Sequence, residues 1–521
     1  MGNIVKQMWR RRWLRCCTWL VAGLFALLIL TREYVDWSGR RHWAAVQEML
    51  SREGESLDLR KIAPPPVPDE ENFCAIPALK DLPLASADDH NKSELGLKLK
   101  RLIDAGLPDN SPAKGNVPKP RSFLGAGFGK AADMGAWAAW LRGKGSLSMP
   151  ADPGDPARDV LAALSGNDAL VSELALGLSR PESQWTPSWK TRVLPEFLFT
   201  INFPHYWAIQ KLTPVLCLRS TAAAREDNAT SAHESLLIAT RITEATAKEP
   251  FLIGTLVAIG CSTFISNAVW ELCDAHSGTA EQFHTLQRAL SRLDFYNSFL
   301  FAERSELTFG ANSVAYLKRT RNFDPISMET GRNYGMSVGL RLLPDGWFDA
   351  NAAALERWHF DYFIKPLRDG GFEQLLAKQK ELQFLITECR RHRYSHLDES
   401  LAVIAMPALL GVSFKVIYAQ CLVNESIAAC ALERYRIEHN TYPDTLEAAN
   451  RAGEPSIPLD VISGKPMGYR KTPDGKYALW CVGFDGKDDG GKRVLDATNP
   501  ANTRFSDPGY LGDWVWDFQA K

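Results

Sequence analysis

Between Cys16 and Leu30 the chain is almost wholly apolar, and Lys6, Arg10, Arg11, Arg12 and Arg15 precede that run with no acid among them. Counted from Trp13 the run has 18 residues. That is about 27 Å of helix at roughly 1.5 Å per residue, enough to cross the hydrocarbon of a bilayer. Trp13 and Trp19 sit at its start, where indole rings favour the headgroup layer. Basic residues before a span hold the N-terminus in the cytoplasm, so the chain beyond about residue 35 is expected on the other side. A cleaved signal peptide is the competing reading. Thr31-Arg32-Glu33-Tyr34 stands where a small-residue cleavage site belongs, which favours an uncleaved anchor. Cys16 and Cys17 precede the apolar core without a lipobox, and Lys6 stands where a myristoylation motif wants Ser or Thr. The expectation is a single-pass protein of the inner (cytoplasmic) membrane with the bulk of its chain extracytoplasmic.

A formal net charge of −1 over 521 residues gives no global field to recruit nucleic acid, and topology accounts for the basic N-terminal cluster. Ten cysteines stand at irregular spacings with no C-x-x-C pair. An oxidising compartment would permit disulfides. Cys421 and Cys430, nine apart on one predicted helix, face opposite sides and cannot pair. Most of the cysteines read as small buried apolar residues.

Composition divides the chain into four stretches. Residues 1–35 form the basic segment and anchor. Residues 36–155 hold a juxtamembrane helix to about Leu59, the stiff linker Ala63-Pro64-Pro65-Pro66-Val67-Pro68, and an irregular surface segment rich in Gly, Pro, Ser, Asp and Lys. Residues 156–400 form a helical domain that opens on Asp155-Pro156, a carboxylate cap with proline in the first turn. Its predicted helices are 156–165, 167–179, 205–225, 230–248, 250–274 and 279–304, then 351–369 and 371–397; residues 306–350 resist placement. Short connections suit a helical hairpin array, and an irregular bundle fits equally well. Such a surface without a catalytic set suggests a protein partner. Residues 401–521 form the last domain. Leu401 to Val423 is apolar enough to raise a second span, but Pro407 and Lys415 interrupt it, and a lysine at bilayer depth is costly.

In the last domain Ala428, Ala431, Leu432 and Tyr435 make one buried stripe at helical spacing. Asn440 suits a left-handed helix end, and Pro443 forbids continuation. Asp444-Thr445-Leu446-Glu447 has the form of a capping box. Strands near 466–471 and 476–482 flank Asp474-Gly475, a hairpin signal. Gly483-Phe484-Asp485-Gly486, Gly490-Gly491 and Asp513-Trp514-Val515-Trp516-Asp517-Phe518 follow, with Trp514 and Trp516 on one strand face. In this order the elements resemble the globular domain of type II secretion major pseudopilins, over about residues 407–518. The whole layout is similar to uncharacterised bacterial membrane-anchored proteins. The fold expected is therefore mainly α, with an N-terminal transmembrane helix and a C-terminal pseudopilin-like α+β domain. The resemblance implies a calcium site, for which Asp485, Asp488, Asp489 and Asp513 are the carboxylates. Calcium takes six to eight hard oxygens from a flexible loop, and an ordinary solvated Asp-Gly turn is the plain alternative. The chain departs from the family at Met1-Gly2-Asn3-Ile4-Val5-Lys6, which lacks the G-F-x-x-x-E peptidase site.

Walker, Rossmann, G-x-S-x-G and H-E-x-x-H motifs are absent from the sequence. His392 and His396 have metal spacing but stand among Arg390, Arg391 and Arg393, which favours a solvated helix face. His359 and Asp361, two apart, do not face each other on a helix, so Trp358 to Tyr362 reads as an aromatic cluster. Cys273 and His276 lack a third catalytic group. The leading function is a non-enzymatic binding or scaffold protein, its last domain fixed by calcium. An extracytoplasmic hydrolase with a site in 306–363 is the alternative, and a secretion-assembly component is a weaker one.

Overall fold

In the computed structural model, the residues described are 2–62, 64–80, 82, 131–144, 147, 149–185, 203–321, 342–392, 395–451, 453, 455–494, 505–507 and 509–518. The chain is mainly helical. Helix α1 runs unbroken from Gly2 to Arg52, so the juxtamembrane helix expected as a separate element is the continuation of the anchor. The two halves of α1 differ sharply. Its most apolar window has none of its residues buried, and Trp19, Phe25 and Leu28 are exposed. Its later half lies in the body, with Val46 and Leu50 in the core.

The body is built from α2 (Met134–Lys144), α3 (Pro156–Leu164), α4 (Asp168–Gly177), α5 (Pro204–Arg225), α6 (Ala229–Ala247), α7 (Leu252–Asp274), α8 (Ala280–Leu290), α9 (Phe295–Thr320), α10 (Asp345–His359), α11 (Lys365–Arg391) and α12 (Ser400–His439). Local chemistry sets several starts. Asp155 accepts the Ala157 N–H at 2.9 Å with Pro156 in the first turn, and Thr279 and Gln282 form a reciprocal capping box before α8. The single helix expected over 279–304 is two, because Asp294 caps a new helix by accepting the Asn297 N–H at 2.9 Å and the Gln420 side chain accepts the Phe295 N–H at 2.7 Å. The helix expected over 371–397 ends at Arg391. Pro407 lies inside α12, which runs through it without a break.

Helix α12 is the spine. It packs against α7, α8, α9, α10 and α11, and every residue from Cys421 to Arg434 is buried. In a hairpin array each repeat touches only its neighbours; convergence on α12 makes this an irregular bundle. Asn440 ends α12 in the left-handed region at φ 55°. Beyond it, residues 446–449 form a 3₁₀ turn whose N-cap, Thr445, makes no side-chain cap, in place of the helix expected from a capping box over Asp444 to Glu447. Strands β1 (Gly468–Lys471), β2 (Tyr477–Cys481) and β3 (Trp514–Trp516) make one antiparallel sheet in the order β1-β2-β3. Trp514 and Trp516 join the main core while Val515 packs with Ala478 and Trp480 on the other face. The sheet is fused to the bundle: Trp270 of α7 stacks on Phe518 at 5.4 Å and donates to the Asp517 carbonyl at 2.9 Å.

The seam between α1 and α10 depends on two glycines. A Cβ on Gly39 would lie 2.0 Å from the Gly346 carbonyl oxygen, and one on Gly346 would lie 2.0 Å from the Val35 carbonyl oxygen. Beside them Asp36 Oδ1 accepts the Gly346 N–H at 2.6 Å, supplying from another helix the partner that a first-turn donor lacks. Gly346→Val is therefore expected to lower stability by about 3 kcal/mol or more through overpacking. It should also expose the 53–58 segment to limited proteolysis, measured on detergent-solubilised protein. An unchanged digestion pattern would refute this account of the seam.

Candidate functional site

The acidic loop that closes the chain is organised around Asp513. This residue is 0 % exposed. Its Oδ2 accepts the backbone N–H groups of Asp489 (3.1 Å), Gly491 (2.8 Å) and Lys492 (3.3 Å), and its Oδ1 is buried with no partner. Burial raises the Asp513 carboxyl above its usual range, while the three N–H groups pull it back. Gly486, Gly490 and Gly491 hold φ near +71° to +76°, which lets the loop fold back on itself. The other acids serve their own neighbourhoods. Asp488 Oδ1 accepts from Trp480 Nε1 and from the Gly490 N–H, both at 2.9 Å. Asp485 Oδ1 accepts the Lys487 N–H at 3.1 Å, and Asp489 is exposed. Asp513 thus meets the loop through its backbone. The four carboxylates expected to share an ion do not converge on one point, and Asp513 Oδ1 is the buried oxygen left without a partner.

A second constellation lies where α9 faces α10. Glu303 and Glu306 occupy one face of α9 at i, i+3; Glu356 and His359 do the same on α10. Glu303 and Glu356 are 0 % exposed and His359 is 3 % exposed; Glu306 is the most accessible of the four. His359 Nε2 hydrogen-bonds Glu303 Oε2. Glu303 Oε1 and both oxygens of Glu356 are buried without partners. Gly310 makes room for Glu356, since a Cβ there would stand 2.3 Å from Glu356 Oε1. Burial, then the charge of Glu303, pushes Glu306 up to about 7; burial and then Glu306 push Glu356 well above the carboxylate range. A π-helical turn, Phe360–Ile364, follows His359 directly; such turns recur near functional positions. His359 is thus a hydrogen-bond partner of a buried carboxyl group rather than only a member of an aromatic cluster. The paired i, i+3 spacings were the signal in the sequence.

Further along the same seam is a cleft of about 680 Å³ bordered by Arg40, Gln47, Lys318, Arg321, Asp345 and Asp349. Lys318 Nζ bridges both oxygens of Asp349 at 2.7 and 2.8 Å, and Arg321 pairs with Asp345. Neither Glu306 nor Glu356 lines it.

The other histidines singled out in the sequence lie outside this group. His276 Nδ1 lies 3.3 Å from Glu433 Oε2, and Cys273 is buried. His396 Nδ1 pairs with Glu399 at 2.7 Å, and the Cys389 thiol donates to the same carboxylate at 3.3 Å. His392 sits beyond the end of α11 with its side chain 59 % exposed.

The class defined by these features is a mainly helical protein with a long apolar N-terminal helix and a small sheet fused to its bundle. Set against family models, curated proteins and solved structures, the chain matches none of them.

The α9–α10 acids make stability depend on pH. Glu306 has a folded pKa raised from 4.5 to about 7, so its contribution is full below about 4.5 and is lost as pH rises through about 7. Thermal unfolding of the solubilised protein should show stability falling by on the order of 2 kcal/mol between about pH 5 and pH 8, partial exposure of Glu306 reducing the full linkage value. Glu306→Gln should flatten that fall. A wild-type and a variant curve with the same slope would contradict the assignment.

Proposed function

We propose that this is a membrane-anchored, extracytoplasmic protein of non-enzymatic binding or scaffold type, held at a set orientation to the bilayer. One observation carries the reading: the helix that bears the bare apolar run continues without a break into the core and is locked there. Glu55, at the end of the α1 segment, receives Arg304 Nε at 3.0 Å and Nη2 at 3.1 Å in a bidentate pair. Arg368 Nη2 holds Glu53 at 3.0 Å. An anchor joined this way transmits its tilt to the body, whereas a flexible linker would not. Among the described residues, three other helical stretches are long and apolar enough to cross a membrane, Pro156–Gly177, Leu252–Asp274 and Leu397–His439. Each of their windows is partly buried in the protein, at 44%, 61% and 33%, against 0% for α1, which supports a single span. The partner surface proposed is the membrane-near end of the α11–α12 hairpin, where Phe384, Leu397 and Ile404 are exposed together at 70%, 55% and 68%.

The hydrolase reading draws on Glu306 and Glu356, carboxyls of raised pKa beside a polar cleft. It is weakened by their absence from the cleft lining, because a catalytic acid must reach its substrate.

Protease added to spheroplasts from outside should digest the body while a cytoplasmic marker survives. A body that stays protected until the membrane is opened would overturn the topology.

The resemblance of residues 407–518 to major pseudopilins adds a calcium ion to this reading, held by Asp485, Asp488, Asp489 and Asp513 with loop carbonyls. The buried spare oxygen of Asp513 supports it. The ion would brace the loop against β3. Calcium at a hundred times its Kd should stabilise the full chain by about 2.7 kcal/mol relative to chelator, and Asp513→Asn should abolish the difference. Equal melting temperatures with calcium and chelator would reject the ion.

A further inference from the structure

Away from the acidic loop, α12 and the sheet meet at a small group of soft and hard donors. Cys421 and Glu425 are four residues apart on α12 and share a face. Cys481 is the last residue of β2. The two sulfurs and a Glu425 carboxylate oxygen all lie within 4.8 Å of one another. All three residues are 0 % exposed. Neither Glu425 oxygen has a hydrogen-bond partner of good geometry, and the nearest backbone donor acting on it is the Cys481 N–H. The guanidinium acting on Glu425, that of Arg493, is engaged by Asp517 at 2.9 Å. Asp460, 4 % exposed, lies against Cys481 and is held by the Val482 N–H at 2.7 Å and the Ile462 N–H at 2.8 Å.

A buried carboxylate with both oxygens unpartnered is costly. A disulfide between Cys421 and Cys481 would use two of the three side chains and leave Glu425 as it stands. A metal ion uses all three. Thiolates with a carboxylate select a divalent ion of borderline softness rather than calcium, and zinc takes such a set without geometric preference.

We propose that Cys421, Glu425 and Cys481 are ligands of a structural zinc ion, with Asp460 nearest the fourth position. Binding replaces the two thiol protons and a Glu425 proton, which pass to solvent, so affinity rises with pH. The ion ties α12 to the end of β2 and to the turn at Asp460. It is distinct from the calcium reading in residues, donor type and place.

The test uses the full chain, solubilised in detergent and purified without chelator. Elemental analysis should find about one zinc per chain. Cobalt substitution should give a thiolate-to-cobalt charge-transfer band and tetrahedral d–d bands. Cys421→Ser, Cys481→Ser and Glu425→Gln should each weaken zinc binding more than the roughly 10–100-fold that loss of an outer-shell partner costs. Glu425→Gln keeps the side chain's shape and removes its charge. Its metal-free form should melt at or above the metal-free wild type, which separates loss of a ligand from failure to fold. In the native wild type, chelator should open Cys421 and Cys481 to alkylation. Protein that is metal-free as isolated, with Cys421 bonded to Cys481 by mass spectrometry, would overturn the proposal. So would zinc retained at full affinity in Glu425→Gln.

Discussion

The close crossing of α1 over α10 is the constraint on which the molecule is organised. Two helices approach so closely only where both present a bare backbone, and here both do, at Gly39 and Gly346. The approach brings Asp36 onto the start of α10, and the carboxylate there answers the positive end of that helix. Everything further along the seam is in register with this point. Trp43 and Val46 of α1 pack into the core, and Glu53 and Glu55 reach Arg368 and Arg304. A shift of one helical turn, about 5.4 Å, would break the cap and the terminal ion pairs together. A membrane helix fixed this way has one orientation relative to its body.

Helix α12 solves a different problem. Its middle is buried on all sides, so polar residues there cannot turn toward water. Glu433 is answered from three directions, by Arg436 at 2.8 Å, by His276 at 3.3 Å and by the Tyr442 hydroxyl. Arg434 Nη1 donates to Gln287 Oε1 at 2.8 Å, and Asn424 donates to the Leu459 carbonyl at 3.0 Å. These links run from α12 outward to α8, to the end of α7 and to the segment before the sheet. They bind the C-terminal module to the bundle by groups whose separation would leave buried polar atoms unpaired, a cost larger than the net worth of each bond.

Much of the local architecture was legible from sequence because its causes are local. Asp155-Pro156 starts a helix, Asn440 with Pro443 ends one, and Asp474-Gly475 turns a hairpin; each depends on residues within a few positions. The hidden features depend on distant partners. Gly346 receives its capping carboxylate from a residue 310 positions away. The break between α8 and α9 at Ser291 to Asp294 contains neither glycine nor proline and is held open in part by Gln420. The polar residues at 303, 306, 356 and 359 fit a solvated helix face as well as a buried one, and only the pairing of α9 with α10 decides between them. Among the acids of the terminal loop, Asp513 is the organiser, although Asp485 and Asp488 carried the same sequence signal.

The buried acids therefore fall into two physical kinds. Glu303 has His359 against it, and Glu306 accepts the Leu252 N–H at 3.3 Å; charge in this group is limited by protonation, as the raised values of Glu306 and Glu356 express. Protonation neutralises such a group without a ligand and makes its stability a function of pH. Glu425 is different in its neighbours. Two thiols stand beside it, and a thiol is a weak donor that does little to solvate a carboxyl group. A protonated Glu425 would lose its charge and still lack a good acceptor for its own O–H. An ion of matching softness answers both sulfurs and the carboxylate at once, so the composition of the group, more than its acidity, separates it from the cluster on α9 and α10.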